Sequence, residues 1–418
     1  MTGEFRKYLF PRDHPRLAGV RGMDAYTYRE AAREEGTFTG GLVEGWTPMY
    51  LNEFRGVTED GTVRSDVHWF EPPQPGEAAP VAEMVAAAED LLGALDDEGR
   101  EKILHEVDAP EWQTWANPEF MQFDTGLRLE FQPADVREKA LALMAASFSK
   151  EGFELAHNMM LINGFLGEVV ELQSVLNEFS YIALYGTPDE NEPWGWQLFG
   201  HHLALNCLVV GGRMVLSPMF LGAEPNEIDE GEHRGVESFV PRIELGLQLM
   251  AELTPEQRRT ATVFEKMVDP AMPEGRVHPG DERHLAGAFQ DNRVIPFEGV
   301  RASELSSQAQ NVIMDIVAQF LILLPEGPRA AKLREVREWM GETWVSWIGG
   351  HGRGDVFYYR VQSPVIIAEL DHHCGVFLDY RTPQPFHIHT VVRTPHGNDY
   401  GRAYLRQFQN STPAVRAQ

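Results

Sequence analysis

Two histidines spaced one residue apart, His387 and His389, sit in a strand-like run bounded by Pro385 and by Arg393-Thr394-Pro395. Alternate residues of a strand point to one face, so His387 and His389 aim their imidazoles the same way, as a metal-ligand pair does. A second pair, Gly200-His201-His202, lies in another strand-like segment far upstream. By strand parity His202 shares a face with Ala204 and Asn206, whereas His201 shares one with Phe199, Leu203 and Leu205. His202 and Asn206 are therefore the polar, site-facing positions. His201 is either buried and hydrogen-bonded, or it reaches the site through a bulge after Gly200.

His202, His387 and His389 together make a three-imidazole set. Such a set suits Zn²⁺ with an open fourth position, where a bound water reaches a pKa of about 7. Glu369 follows the apolar run Val365-Ile366-Ile367-Ala368 and shares its face with Asp371 and His373. A carboxylate in that position needs a metal, a cation or a donor. With Glu369 as fourth ligand the set also suits iron, manganese or copper; otherwise Glu369 is the general base.

The catalytic candidates are Glu369, His201 and Asp399. Asp399 reads either as the cap of a final helix or as a carboxylate that orients an imidazole. The substrate-binding candidates are Arg393, whose fork matches a carboxylate, Asn206, and Trp196 as a crevice wall. His372 and His373, next to Cys374-Gly375, read as loop histidines, and His396 reads the same way. His14, His68, His105, His157, His233, His278, His284 and His351 carry no site signal. Serine-nucleophile elbows, Walker loops, paired Cys-x-x-Cys units and His-Glu-x-x-His are all missing from the sequence.

The elements that must position these residues follow from periodicity. Residues 1–75 read as an irregular N-terminal segment ending in the linker-like Pro72-Pro73-Gln74-Pro75-Gly76. Helical patterns cover 80–95 and, as two helices, 134–172. Strand patterns follow at Phe179–Tyr185, Trp194–Val210 and Arg213–Phe220, with Gly211-Gly212 as a tight hairpin. The order then returns: helices at 237–252, from Pro255, at 305–324 and at 329–341, then strands at Trp344–Ile348, Val356–Val361, Val365–Leu370 and Phe386–Arg393, and a short closing helix within 399–409. Tyr181-Ile182-Ala183-Leu184-Tyr185-Gly186 aligns with Trp344-Val345-Ser346-Trp347-Ile348-Gly349. The same register sets Asn206 against Glu369. This is the pattern of an internal duplication, with repeats at 76–222 and 223–418 packed as one unit around a shared crevice. The expected class is α+β, in two similar helix-then-antiparallel-sheet halves.

Composition narrows the partners. The 418 residues carry a formal charge of −27, which argues against nucleic acid or an anionic membrane as the main partner. A small-molecule substrate is the expectation, and a homo-oligomer is compatible with it. Two cysteines fit a reducing compartment. With neither a signal-like apolar stretch after Met1 nor a membrane-spanning one, a cytoplasmic protein is expected.

Three groups of residues carry a resemblance. They are the stretch from Glu192-Pro193-Trp194-Gly195-Trp196-Gln197 through Gly200-His201-His202 to Asn206, then Ser217-Pro218-Met219-Phe220-Leu221-Gly222-Ala223-Glu224-Pro225, and a C-terminal group. The last comprises Ile367-Ala368-Glu369, His387-Ile388-His389-Thr390, Arg393 and Asn398-Asp399-Tyr400-Gly401. Here the chain resembles a bacterial family known as domain of unknown function 3500, from about residue 130 to the end. The loop Asp371-His372-His373-Cys374 departs from the family pattern, and the name implies no activity. The residues themselves point first to a metal-dependent hydrolase of a small polar or anionic molecule. The rivals are a non-haem metal oxygenase or redox enzyme, and a non-catalytic ligand- or metal-binding protein.

Overall fold

The computed structural model describes residues 3–34 and 36–411. It is a mixed α and β structure built on one large sheet. The strands are β1 Leu104–His105, β2 Leu127–Arg128, β3 Tyr181–Tyr185, β4 Trp194–Gly200, β5 Leu203–Val210, β6 Arg213–Ala223, β7 Thr262–Phe264, β8 Val300–Arg301, β9 Trp344–Gly349, β10 Phe357–Gln362, β11 Ile367–His372 and β12 Ile388–Arg393. Their spatial order is β1-β3-β4-β5-β6-β12-β11-β10-β9-β7, with β2 added to β3 and β8 to β9. All pairings are antiparallel except β1 with β3 and β7 with β9, at the two ends. β6 and β12 meet at the middle, where His389 lies opposite Gly222.

The central strands are buried on both faces, so they read as apolar runs rather than clean alternations. One face carries Trp194, Trp196, Leu205, Trp347, Tyr359, Ala368 and Leu370, and packs on helices including Val81–Ala94, Ala134–Ser147, Lys150–Val169 and Ser307–Phe320. These helices start where the sequence offers caps. Ser149 accepts from the Gly152 N–H, Ser306 from that of Ala309, and Thr254 forms a capping box with Gln257. The other face carries Tyr185, Ala204, Phe220, Ile367 and Val391, and is covered by Trp46 of the helix Phe38–Tyr50 and by largely irregular segments bearing Trp112, Trp115, Phe120, Leu285 and Phe289. Loops can bury polar side chains because their own N–H and C=O groups are free to pair with them.

Two expectations need correction. The N-terminal segment is not irregular throughout: helices form at Pro15–Ala18, Ala25–Ala32 and Phe38–Tyr50, the second closed by an Asp24–Thr27 capping box. The run Trp194–Val210 is not one strand but the hairpin β4–β5, turning at His201-His202 with His202 at φ +64°. Gly211-Gly212 forms the predicted tight turn, both residues at positive φ. Cys207 and Cys374 are free thiols. Among the described residues, no helix is long and apolar enough to cross a membrane.

Candidate metal centre

His389 stands on β12 beside the β6 junction, and His387 immediately precedes that strand on the same face. Their Nε2 atoms are 3.0 Å apart. The β4–β5 turn delivers His202 to the same place, its ring centroid 5.0 Å from that of His389 and 5.6 Å from that of His387. One ligand nitrogen from each of the three lies within 4.8 Å of the others, all buried. Nitrogens on one tetrahedral ion stand roughly 3.3 Å apart, given bonds of about 2.0–2.1 Å. The His387–His389 pair is already close to that spacing, and His202 would complete it by closing in from within 4.8 Å.

The electrostatics favour the metal-ready form. Burial and the neighbouring imidazoles hold His202 and His389 well below the ordinary histidine value, and burial takes His387 down to about 3. These rings are neutral at physiological pH, as a ligand must be. His202 Nδ1, His387 Nδ1 and His389 Nδ1 are buried without a hydrogen-bond partner. Each such atom costs about 1–3 kcal/mol unless something pairs with it, and a ligand set of neutral imidazoles fits a borderline divalent cation. Glu224 stands behind the trio, its Oε1 3.6 Å from His387 Nδ1. Burial pushes this carboxyl up to about 7, against donation from Tyr380 Oη and the Phe377 and Val376 N–H groups.

The other expected residues are distributed around this centre. Glu369 is fully buried and accepts from the Leu285 and Ala286 N–H groups and from Tyr358 Oη. Burial raises it, but His284, Arg360 and Tyr358 outweigh that and hold it down to about 2. It lies behind His284, Oε2 to Nδ1 3.5 Å, and is not grouped with His202, His387 and His389. His201 stacks on His202 at 3.8 Å but turns its Nδ1 to Asn163 Oδ1, 2.6 Å away. Arg393 is fully engaged by the protein. It donates to Ala286 O, Gly287 O, Asp291 and Asp399, and lies over the Trp115 ring. Asp399 holds Arg393, Ser217 Oγ and the Thr394 N–H rather than an imidazole. Asn206 bonds Gln197 and Pro218 O. Trp196 is on the helix-covered face, donating to Ser147.

Three residues that the sequence reading passed over belong here. His373 stacks on His389 at 3.8 Å, and His284 joins the two in a second buried trio. The signal for His373 was its parity with Glu369 and Asp371. His284 had none, since it sits in an irregular segment. Glu224 was visible only as part of Gly222-Ala223-Glu224-Pro225. His372 turns away and bonds the backbone of Phe357.

The histidines of both trios are at most 4 % exposed. The loop from Cys374 to Phe386 closes over them, tied down by Glu224 and by Tyr8, whose carbonyl accepts from the Asp379 N–H. A cavity of about 30 Å³ adjoins His201, lined by Glu119, Arg128, Asn163 and Ser180.

Comparison with curated proteins and with solved structures finds no significant match. A family model does match, over residues 77–402, so it begins well before the stretch where the resemblance was first visible and takes in both ends of the sheet. The chain belongs to the family described as "Protein of unknown function (DUF3500)".

Proposed function

We propose that this protein is a metal-dependent hydrolase of a small polar or anionic molecule, with the ion held by His202, His387 and His389. One observation carries the reading: three convergent, neutral, buried imidazoles, with no partner at Nδ1 of His202 and His389 and only the Glu224 carboxylate, 3.6 Å away, at that of His387. When bound, an ion such as Zn²⁺ supplies an activated water at neutral pH and polarises a substrate oxygen. Glu224 orients His387 through Nδ1, as carboxylates do behind metal-bound histidines. With its carboxyl near 7, it is also placed to take up or release a proton at the edge of the trio. Glu369 anchors the loop at Leu285–Ala286 and holds His284. The Cys374–Phe386 loop excludes water, and its closeness to the trio limits the substrate to a small one.

Zinc is the first choice of metal. Imidazole also suits copper and iron, so the all-histidine trio favours a non-haem redox enzyme as the second reading. We further infer that the two ends of the sheet descend from a duplication. In support, β1 and β2 flank β3 as β7 and β8 flank β9, with the same parallel and antiparallel senses. On that reading the trio takes His202 from the first repeat and His387 and His389 from the second. The two free thiols fit a reducing, cytoplasmic setting.

Elemental analysis of the purified chain tests the proposal, followed by hydrolysis assays on ester and phosphate panels before and after chelation. Bound zinc, and activity lost with the metal and restored by it, is expected. Bound iron or copper with no hydrolysis would transfer the case to redox chemistry. Failure to retain or take up any of these metals would overturn both.

A further inference from the structure

We infer that the centre holds a second cation, at His284, His373 and His389, making it a two-ion site; this rests on the metal-site reading above. The second trio meets the same test as the first: all three residues are buried, and one ligand nitrogen from each lies within 4.8 Å of the others. His389 belongs to both trios. Its ring has two nitrogens, one 3.0 Å from His387 Nε2 and the other without a partner, so with its ring proton released to solvent the resulting imidazolate would bridge an ion on either side.

His284 is the strongest witness. It is 1 % exposed; its Nε2 has no partner, and its Nδ1 has only the Glu369 carboxylate, at 3.5 Å. With Nδ1 turned to the carboxylate, Nε2 is the buried atom left over, and it costs about 1–3 kcal/mol unless something pairs with it. His373 Nε2 is likewise unpaired, although Asp371 Oδ2 is 3.1 Å away in poor alignment.

Carboxylates back this trio as Glu224 backs the first. Glu369 Oε2 lies 3.5 Å from His284 Nδ1, and Asp371 stands against His373. Both are themselves fixed: Glu369 by two backbone N–H groups and Tyr358, and Asp371 by Arg283 Nε at 2.7 Å. Carboxylates that orient histidines in this way are the usual outer layer of a metal site. Glu282, Asp371 and His373 also converge, so acidic groups crowd this side, and Arg283 is the cation bonded to both Glu282 and Asp371. A divalent ion offsets that surplus. The imidazole donors select a borderline metal of the zinc, copper or iron class over Mg²⁺ or Ca²⁺, which take oxygen ligands. Two ions on opposite sides of one imidazole would favour an anionic substrate, such as a phosphate ester or a carboxylate.

The test is metal stoichiometry on the full chain, stripped and then loaded with Zn²⁺ or Co²⁺, for the native protein and for His284→Gln and His202→Gln. Circular dichroism and melting confirm that each variant is folded. Two ions per native chain and one in each variant are expected. One ion in the native chain, kept by His284→Gln and lost by His202→Gln, would overturn the second site and leave the first. No ion in any form would overturn both. Should His284→Gln fail to fold, Co²⁺ titration of the native protein decides: absorption changes continuing to two equivalents support the inference, and saturation at one overturns it.

Discussion

Gly222 lies directly opposite His389 in the β6–β12 ladder, and a Cβ there would stand 2.9 Å from Cδ2 of both His389 and His202. The bare backbone of Gly222 lets an imidazole from β12 and one from the β4–β5 turn approach across the middle of the sheet. Gly222→Ala must therefore push one ring aside. Overpacking of this kind costs about 1–3 kcal/mol. The variant should fold with a lowered urea midpoint and bind Zn²⁺ at least tenfold more weakly, as read by competition with a chromogenic chelator. Unchanged affinity would mean that the two rings do not share an ion.

His201 and His202 are adjacent and stacked, but their roles should separate. His201→Gln removes the partner of Asn163 and should leave zinc affinity within a few-fold of native. His202→Gln should weaken it more than the ~10–100-fold typical of losing a group behind a ligand. Glu224→Gln should fall within that range. Equal effects at His201 and His202 would argue for a cluster that merely packs.

Arg393 tests the boundary between site and scaffold. Its guanidinium is bonded to two carbonyls and two buried carboxylates, so it has no free edge for substrate. Arg393→Ala leaves Asp291 and Asp399 their hydrogen bonds from Tyr400, Ser217 and Thr394 but removes their counter-charge, a loss of about 3–5 kcal/mol. The urea midpoint should drop accordingly, with metal stoichiometry unchanged in the fraction that remains folded. A variant of native stability with a raised KM would instead give Arg393 to the substrate.

Acid should destabilise the metal-free protein through its histidines. His387 is held at about 3 by burial, below its ordinary 6.5 in the unfolded chain. Its contribution is therefore present above pH 6.5 and is lost as pH falls from there towards 3, because the unfolded state binds the proton first. Glu224 is raised to about 7 and works in the opposite sense, so the difference between proteins is the clean observable. Between pH 6 and 5, native stability should fall faster than that of His387→Gln by close to ~1.4 kcal/mol per pH unit. Parallel profiles in urea titrations would contradict the depressed value.

The sequence carried most helices after residue 80, the strands of the second half and the pairing of His387 with His389, because strand parity depends only on the two-residue repeat. It indicated His202 for a reason that did not survive. Parity assumed a continuous strand, whereas His202 reaches the site from a turn at positive φ. Glu369 was rightly expected to be buried, but its partners are the N–H groups of Leu285 and Ala286, in a loop with no periodic pattern to announce it. His284 arrives on that same loop, which explains why nothing near it in the chain marked it. His373 could have been kept, since it continues the face of Glu369 and Asp371; the adjacent turn residues Cys374-Gly375 obscured that alternation.

Crystals of the zinc-loaded protein, measured on both sides of the zinc absorption edge, address the metal centre most directly. An anomalous peak about 2.0–2.1 Å from a nitrogen of each of His202, His387 and His389 is expected. Well-ordered, zinc-saturated crystals with no anomalous peak among these three imidazoles would contradict it.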